Sequence, residues 1–79
     1  MNRIGIIEIG NSEIKVIGFG VVTGTEEVFD SELGLDLTVT KVTLDNGNEI
    51  TVRDASMGDE DAIKKEISIY KGNGYKIIS

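Results

Sequence analysis

The chain has neither cysteine nor histidine among its 79 residues. No disulfide can staple the fold, no ordinary zinc site can form, and neither Ser-His-Asp nor Cys-His catalysis has its imidazole. The missing cysteine also fits a reducing compartment. A domain of this length buries only about 60 to 65 % of the surface its unfolded chain exposes. Without a staple, its stability has to come from tight packing or from self-association.

Long apolar runs are missing too. Glu8 interrupts the stretch Ile4-Gly5-Ile6-Ile7, which is therefore too short for the apolar part of a signal peptide. No segment approaches the roughly 18 apolar residues of a membrane-spanning helix. A soluble, cytoplasmic protein is the expectation. Aromatics are few: Phe19, Phe29, Tyr70 and Tyr75. Single-strand nucleic-acid binders combine a basic groove with several stacking rings. Lys71 and Lys76 do sit near the two tyrosines, but Phe19, Phe29 and Tyr70 are expected in the core, so direct nucleic-acid binding is not expected.

What the chain has instead is acid, unevenly placed. From Glu26 to Asp61 there are eleven acidic and two basic residues, a net charge of -9, whereas the two ends together carry +3. Such a field opposes nucleic acid and favours basic partners.

The opening stretch, "GIIEIGNSEIKVIGFG", reads as an antiparallel hairpin closing on Asn11 and Ser12. Pairing Ile9 with Ile14, Glu8 with Lys15, Ile7 with Val16, Ile6 with Ile17 and Ile4 with Phe19 matches every side chain to its neighbour. A one-residue slip would put Glu8 against Glu13. Both faces are apolar, one carrying Ile4, Ile6, Ile17 and Phe19, the other Ile7, Ile9, Ile14 and Val16. A helix is expected on one face and a second sheet layer or a second copy of the chain on the other, which favours a homodimer.

Further along, Thr23-Gly24-Thr25 is expected to turn the chain, and Glu26 to Gly34 to form an acidic loop or short edge strand anchored by Val28, Phe29 and Leu33. Apolar residues fall on odd positions at Leu35, Leu37 and Val39 and on even ones at Val42 and Leu44. A bulge near Thr40 and Lys41 would explain the change of phase. Asp45-Asn46-Gly47 is expected as a three-residue loop with a left-handed Gly47, pairing Val42 with Ile50 and Thr43 with Glu49. From Asp59, a plausible N-cap, the period becomes helical, with Ile63, Ile67 and Tyr70 on one face. Lys71 and Gly72-Asn73-Gly74 end the helix, and Tyr75 to Ile78 forms a last strand. The expected fold is a single α+β domain: a bent antiparallel sheet or small open barrel of about five strands with one C-terminal helix and a final strand.

The segment "IGIIEIGNSEIKVIG" resembles the first phosphate loop of the actin, sugar-kinase and exopolyphosphatase superfamily, in which an apolar strand meets an acid, a small residue and glycine before a turn. That resemblance covers about fifteen residues and implies phosphate binding. Glu8 stands where the family has aspartate, and the chain is far shorter than the family's two-lobed fold. Gly18-Phe19-Gly20 with Gly24 nears a dinucleotide fingerprint, but its spacing is wrong and a strand follows where a helix is required. Asp54 to Asp61 is rich in oxygen ligands but lacks the alternation of a calcium loop. Ser56 or Ser68 with Lys64 or Lys65, and the carboxylates of the acidic middle, offer no assembled catalytic pair. No enzyme activity, cofactor or metal is expected.

The function expected is that of a small acidic protein-binding module, of the inhibitor or regulator kind. Glu26, Glu27, Asp30, Glu32 and Asp36 would present carboxylates to a basic partner surface, as nucleic-acid mimics and anti-defence proteins do. Alternatives are a small-molecule or nucleotide binder using the glycine-bearing first hairpin, and a structural subunit of a self-assembling complex.

Overall fold

The first hairpin is the spine of the fold. In the computed structural model, which describes residues 3–78, β1 (Ile4–Ile9) and β2 (Glu13–Asp30) pair antiparallel. Ile9, Glu8 and Ile7 meet Ile14, Lys15 and Val16, as side-chain matching predicts. Beyond them the register differs, with Ile6 opposite Gly18, Gly5 opposite Phe19 and Ile4 opposite Gly20. The extra residue on β2, Ile17, is a β-bulge, and it turns the later side chains of the strand to the other face. Phe19 thus leaves the face of Ile4 and Ile6 and packs with Ile7, Ile14 and Val16. Gly18 supplies the bulge with a φ of +154° that side-chain-bearing residues rarely adopt.

β2 then runs on where a turn is predicted at Thr23-Gly24-Thr25. It continues to Asp30 and pairs along that length with β3 (Leu35–Leu44). Thr23 is absorbed as a second bulge, because Val22 pairs with Val42 and Gly24 with Lys41. The irregularity expected near Lys41 is therefore present, but its extra residue lies on the opposite strand. Glu26 to Asp30, predicted as a loop or separate edge strand, is the end of β2. Its acids are tolerated because Glu26 and Glu27 point to solvent, while Leu35 to Thr40 across from them supply Leu, Thr and Val.

The loop Asp45-Asn46-Gly47 leads into β4 (Glu49–Val52) with the predicted register, Val42 to Ile50 and Thr43 to Glu49, and Gly47 at φ 89°. Then comes a strand that sequence patterning missed, β5 (Ser56–Asp59), which pairs with β1. The strand order is β4-β3-β2-β1-β5. Laid flat, five strands would put the outer two about 19 Å apart. Arg53 to Ala55, the link between them, cannot separate Val52 from Ser56 by more than about 14 Å. The sheet must curl. Its concave face gathers Ile6, Val42 and Leu44, with Ile4, Ile17, Val22, Ile50, Val52 and Ala55 around them.

The convex face of the first hairpin is covered by α1 (Glu60–Gly72). Ile63, Ile67 and Tyr70 face Ile7, Ile14, Val16 and Phe19. Gly5 makes the contact possible, since a Cβ there would lie 2.8 Å from Ile63 Cγ2. Asp59 is the N-cap by position, but its side chain caps nothing; the Glu60 N–H donates instead to the Arg3 carbonyl at 3.0 Å. At the other end the Asn73 N–H donates to the Ile69 and Tyr70 carbonyls, and Gly74 sits at φ 89°. β6 (Lys76–Ile78) then lies parallel to the start of β2.

The fold is α+β as predicted, a curled open sheet of five strands in one path with one helix and a final strand that joins it as the sixth among the described residues. Both faces of the first hairpin are covered by the chain itself, Ile6 being 1 % and Ile7 0 % exposed. The packing argument for a second copy on that hairpin therefore does not apply. Among the described residues, no helix is long and apolar enough to cross a membrane.

Candidate functional site

The hairpin of β2 and β3 outruns the rest of the sheet. β1 accompanies β2 only as far as Gly20, and β4 accompanies β3 only from Thr40 onwards. From Glu26 round to Val39 the chain is a two-stranded ribbon, and its end carries Phe29 and Leu33, the two most exposed large apolar side chains among the described residues, with Leu35 beside them. Phe29 and Leu33 are each 62 % and Leu35 48 % exposed. Phe29 and Leu33, expected from sequence to anchor this segment in the core, are corrected by this placement: the core ends before the ribbon does.

Asp30 builds the turn. One carboxylate oxygen accepts the Glu32 and Leu33 N–H groups, each at 2.9 Å, and the other accepts from the Arg53 guanidinium. The Asp30 carbonyl accepts the Gly34 N–H at 2.7 Å, with Gly34 at φ 69° closing the loop. The Leu33 amide first, then the Glu32 amide and Arg53, hold the Asp30 carboxyl below the ordinary aspartate range against a partial desolvation that pushes it up. Arg53 stands just past β4 and so ties the end of the ribbon back to the body of the sheet.

Side chains alternate along a strand and paired residues share a face. The five predicted contact residues are accordingly divided. Glu26 and Asp30 lie on one face with Val28, Leu35 and Leu37; Glu27 and Asp36 lie on the other with Phe29 and Thr38; Glu32 sits in the turn. They are spread along both faces and the turn rather than forming a single row, and Asp30 is already engaged within the protein. A cleft of about 560 Å3 opens beside the turn, walled by Phe29, Glu32, Leu33, Leu37, Arg53 and Asp54. Lys41, further back on β3, is paired with Glu49 at 3.2 Å. Arg53 is thus the cation set among the ribbon's carboxylates. Neither it nor the apolar tip was singled out from sequence, although Phe29, Leu33 and Leu35 interspersed with five acids was the available signal.

The other sequence leads are occupied by structure. Glu8 of the phosphate-loop-like stretch pairs with Lys15 across the hairpin. Gly20 of the near-fingerprint lies where β2 meets β3, and a Cβ there would fall 2.1 Å from the Thr43 carbonyl oxygen. In the oxygen-rich run, Glu60 is held by Arg3 at 3.0 Å and Lys64 at 3.6 Å. Tyr70 and Tyr75 pack edge to face, centroids 4.8 Å apart, around the convex cluster. A second cleft, about 300 Å3, opens on the concave face between Ile6, Ile17, Ile50 and Ala55, with Glu8 and Arg53 at its rim.

Comparison with protein-family models, with curated proteins and with solved structures finds no match. The functional reading rests on the geometry of the ribbon.

Proposed function

We propose that the protein is a non-enzymatic protein-binding module, of the inhibitor or regulator kind, which docks its β2–β3 ribbon on a basic surface of a partner protein in the cytoplasm. The observation that carries this reading is the exposed apolar end of a projecting ribbon, Phe29 on one face, Leu35 on the other and Leu33 in the turn, interspersed with carboxylates. Apolar side chains supply the buried centre of a contact, and the carboxylates supply steering and orientation. The test compares capture from lysate by the native chain and by a Glu26→Lys/Glu27→Lys/Glu32→Lys variant, which spares Asp30 and its turn. A protein held by the native chain at low salt, released at high salt and not held by the variant is the expected result. Equal capture by both chains refutes the reading.

A second reading is supported by the concave cleft beside the first hairpin, whose apolar floor and charged rim suit a small amphiphilic ligand. A ligand at a hundred times its dissociation constant would raise stability by about 2.7 kcal/mol, so a metabolite and nucleotide panel read by thermal melting separates the two. A homodimer, the other partnership expected from sequence, is tested by concentration-dependent mass from light scattering.

A further inference from the structure

Outside the reach of β4, residues Leu35 to Val39 of β3 have β2 on one side and no strand on the other, among the described residues. The direction of the free backbone groups can be read from the far end of the strand. The Leu44 N–H donates to the Asn48 carbonyl at 2.8 Å, and the Leu44 carbonyl accepts the Gly47 N–H at 2.9 Å. Leu44 therefore points its polar backbone towards β4, and alternation gives the same direction to Val42 and Thr40, and then to Thr38 and Asp36. The last two have no β4 residue to meet. Their N–H and C=O groups are left on the free edge, and the 560 Å3 cleft reaches the same strand at Leu37, between Arg53 and Asp54 on one side and the turn at Glu32 and Leu33 on the other.

We propose that this edge takes up an extended, lysine- or arginine-bearing segment of the partner protein, which joins the sheet as a further strand in line with β4. The inference rests on the reading that the acidic ribbon docks a basic protein, and names how it does so. An added strand would find Leu33 and Leu37 for its apolar side chains, Glu32 and Asp54 in the same cleft for its basic ones, and Asp36 on the other face of the edge, Asp30 being already paired with Arg53. The opposite edge of the ribbon, β2 beyond Gly20, is blunted by the bulge at Thr23 and by Gly24 at φ +157°. The Leu35–Val39 edge has no bulge, glycine, proline or lysine to guard it.

The experiment titrates the full isotopically labelled chain, at low salt, with a short capped peptide alternating lysine and valine, with the same peptide N-methylated at every amide, and with an alternating glutamate and valine peptide. Expected are amide shifts concentrated on residues 35–39 and slowed hydrogen exchange at Asp36 and Thr38 with the lysine peptide. The N-methylated form should bind about tenfold or more weakly, as expected when backbone hydrogen bonds are lost, and the glutamate peptide should not bind. Thr38→Pro removes an outward donor where an edge strand accepts proline, and should also lose the lysine peptide. Equal binding of the methylated and unmethylated lysine peptides overturns strand addition while leaving acidic docking intact. No binding of the lysine peptide overturns strand addition as well. If the charge-reversed variant also captures the same partners as the native chain, the docking reading falls with it.

Discussion

Replacing Gly20 by alanine puts the packing of the two hairpins to a direct test. The added Cβ would stand 2.1 Å from the Thr43 carbonyl oxygen and 2.8 Å from the Leu44 Cα, both backbone atoms that no rotamer change can move. To restore ordinary contact, β2 and β3 must part by about one ångström, and overpacking of this kind costs about 1–3 kcal/mol. The parting also strains the neighbouring bond from the Asp45 N–H to the Phe19 carbonyl, now 2.9 Å, whose loss would add about 1 kcal/mol. A total near 3 kcal/mol is a large share of the roughly 4–12 kcal/mol expected for a chain of this length. The melting temperature should fall by about 12–24 °C. Gly72→Ala is the control: nothing lies within 4 Å of its Cβ position, which belongs to α1, and alanine there should add up to about 1 kcal/mol. Far-UV circular dichroism on heating and in urea would measure both. A Gly20→Ala protein melting within a few degrees of the native chain would refute the close approach, and with it the purely structural account of this glycine.

Two further outcomes are expected. Ile63→Ala empties the centre of the convex cluster, where Ile63 is 2 % exposed, and should cost about 2–5 kcal/mol, against about 0.5–1.5 for Ile63→Val; equal costs in urea unfolding would show that α1 is not packed through this residue. The Asp30 carboxyl is depressed in the folded state, so its contribution is complete above the ordinary aspartate value near 3.9 and is lost as pH falls through the lower folded value. Exchange of the Leu33 and Glu32 amides, followed by NMR, should therefore stay slow through mildly acidic pH and quicken only below that value. Loss of their protection already near pH 5 would contradict the turn geometry.

The local pairings of the fold were legible next to the turns, where no bulge intervenes, whereas the matched pairs Ile6 with Ile17 and Ile4 with Phe19 are displaced. Glu8 with Lys15 and Val42 with Ile50 are fixed by chemistry visible in the residues themselves. What escaped was set by backbone, not by side-chain pattern. The bulges at Ile17 and Thr23 leave only a glycine behind each as a trace, and each shifts the phase of the rest of its strand. β5 has the sequence Ser-Met-Gly-Asp, poor in strand formers, and is a strand because β1 offers it an edge. At the ribbon, the acids were legible as a cluster but their faces were not. Facing depends on a register that the sequence appeared to break at Gly24, and Asp30 could not be recognised as the holder of its own turn without knowing where Arg53 arrives.

The shared hairpin has a further consequence in time. Both packed clusters are built on β1 and the first half of β2, one completed by residues from Val42 to Ala55, the other by residues from Ile63 to Ile77. A chain emerging from the ribosome therefore presents a β-prone, isoleucine-rich hairpin with two bare faces well before either cover has been synthesised. Neither cluster can form from neighbours in sequence alone, and such non-local pairing is slow, with folding times in milliseconds to seconds. The nascent protein is most open to aggregation in that interval. The strand made late, Lys76–Ile78, then closes against the opening residues of β2.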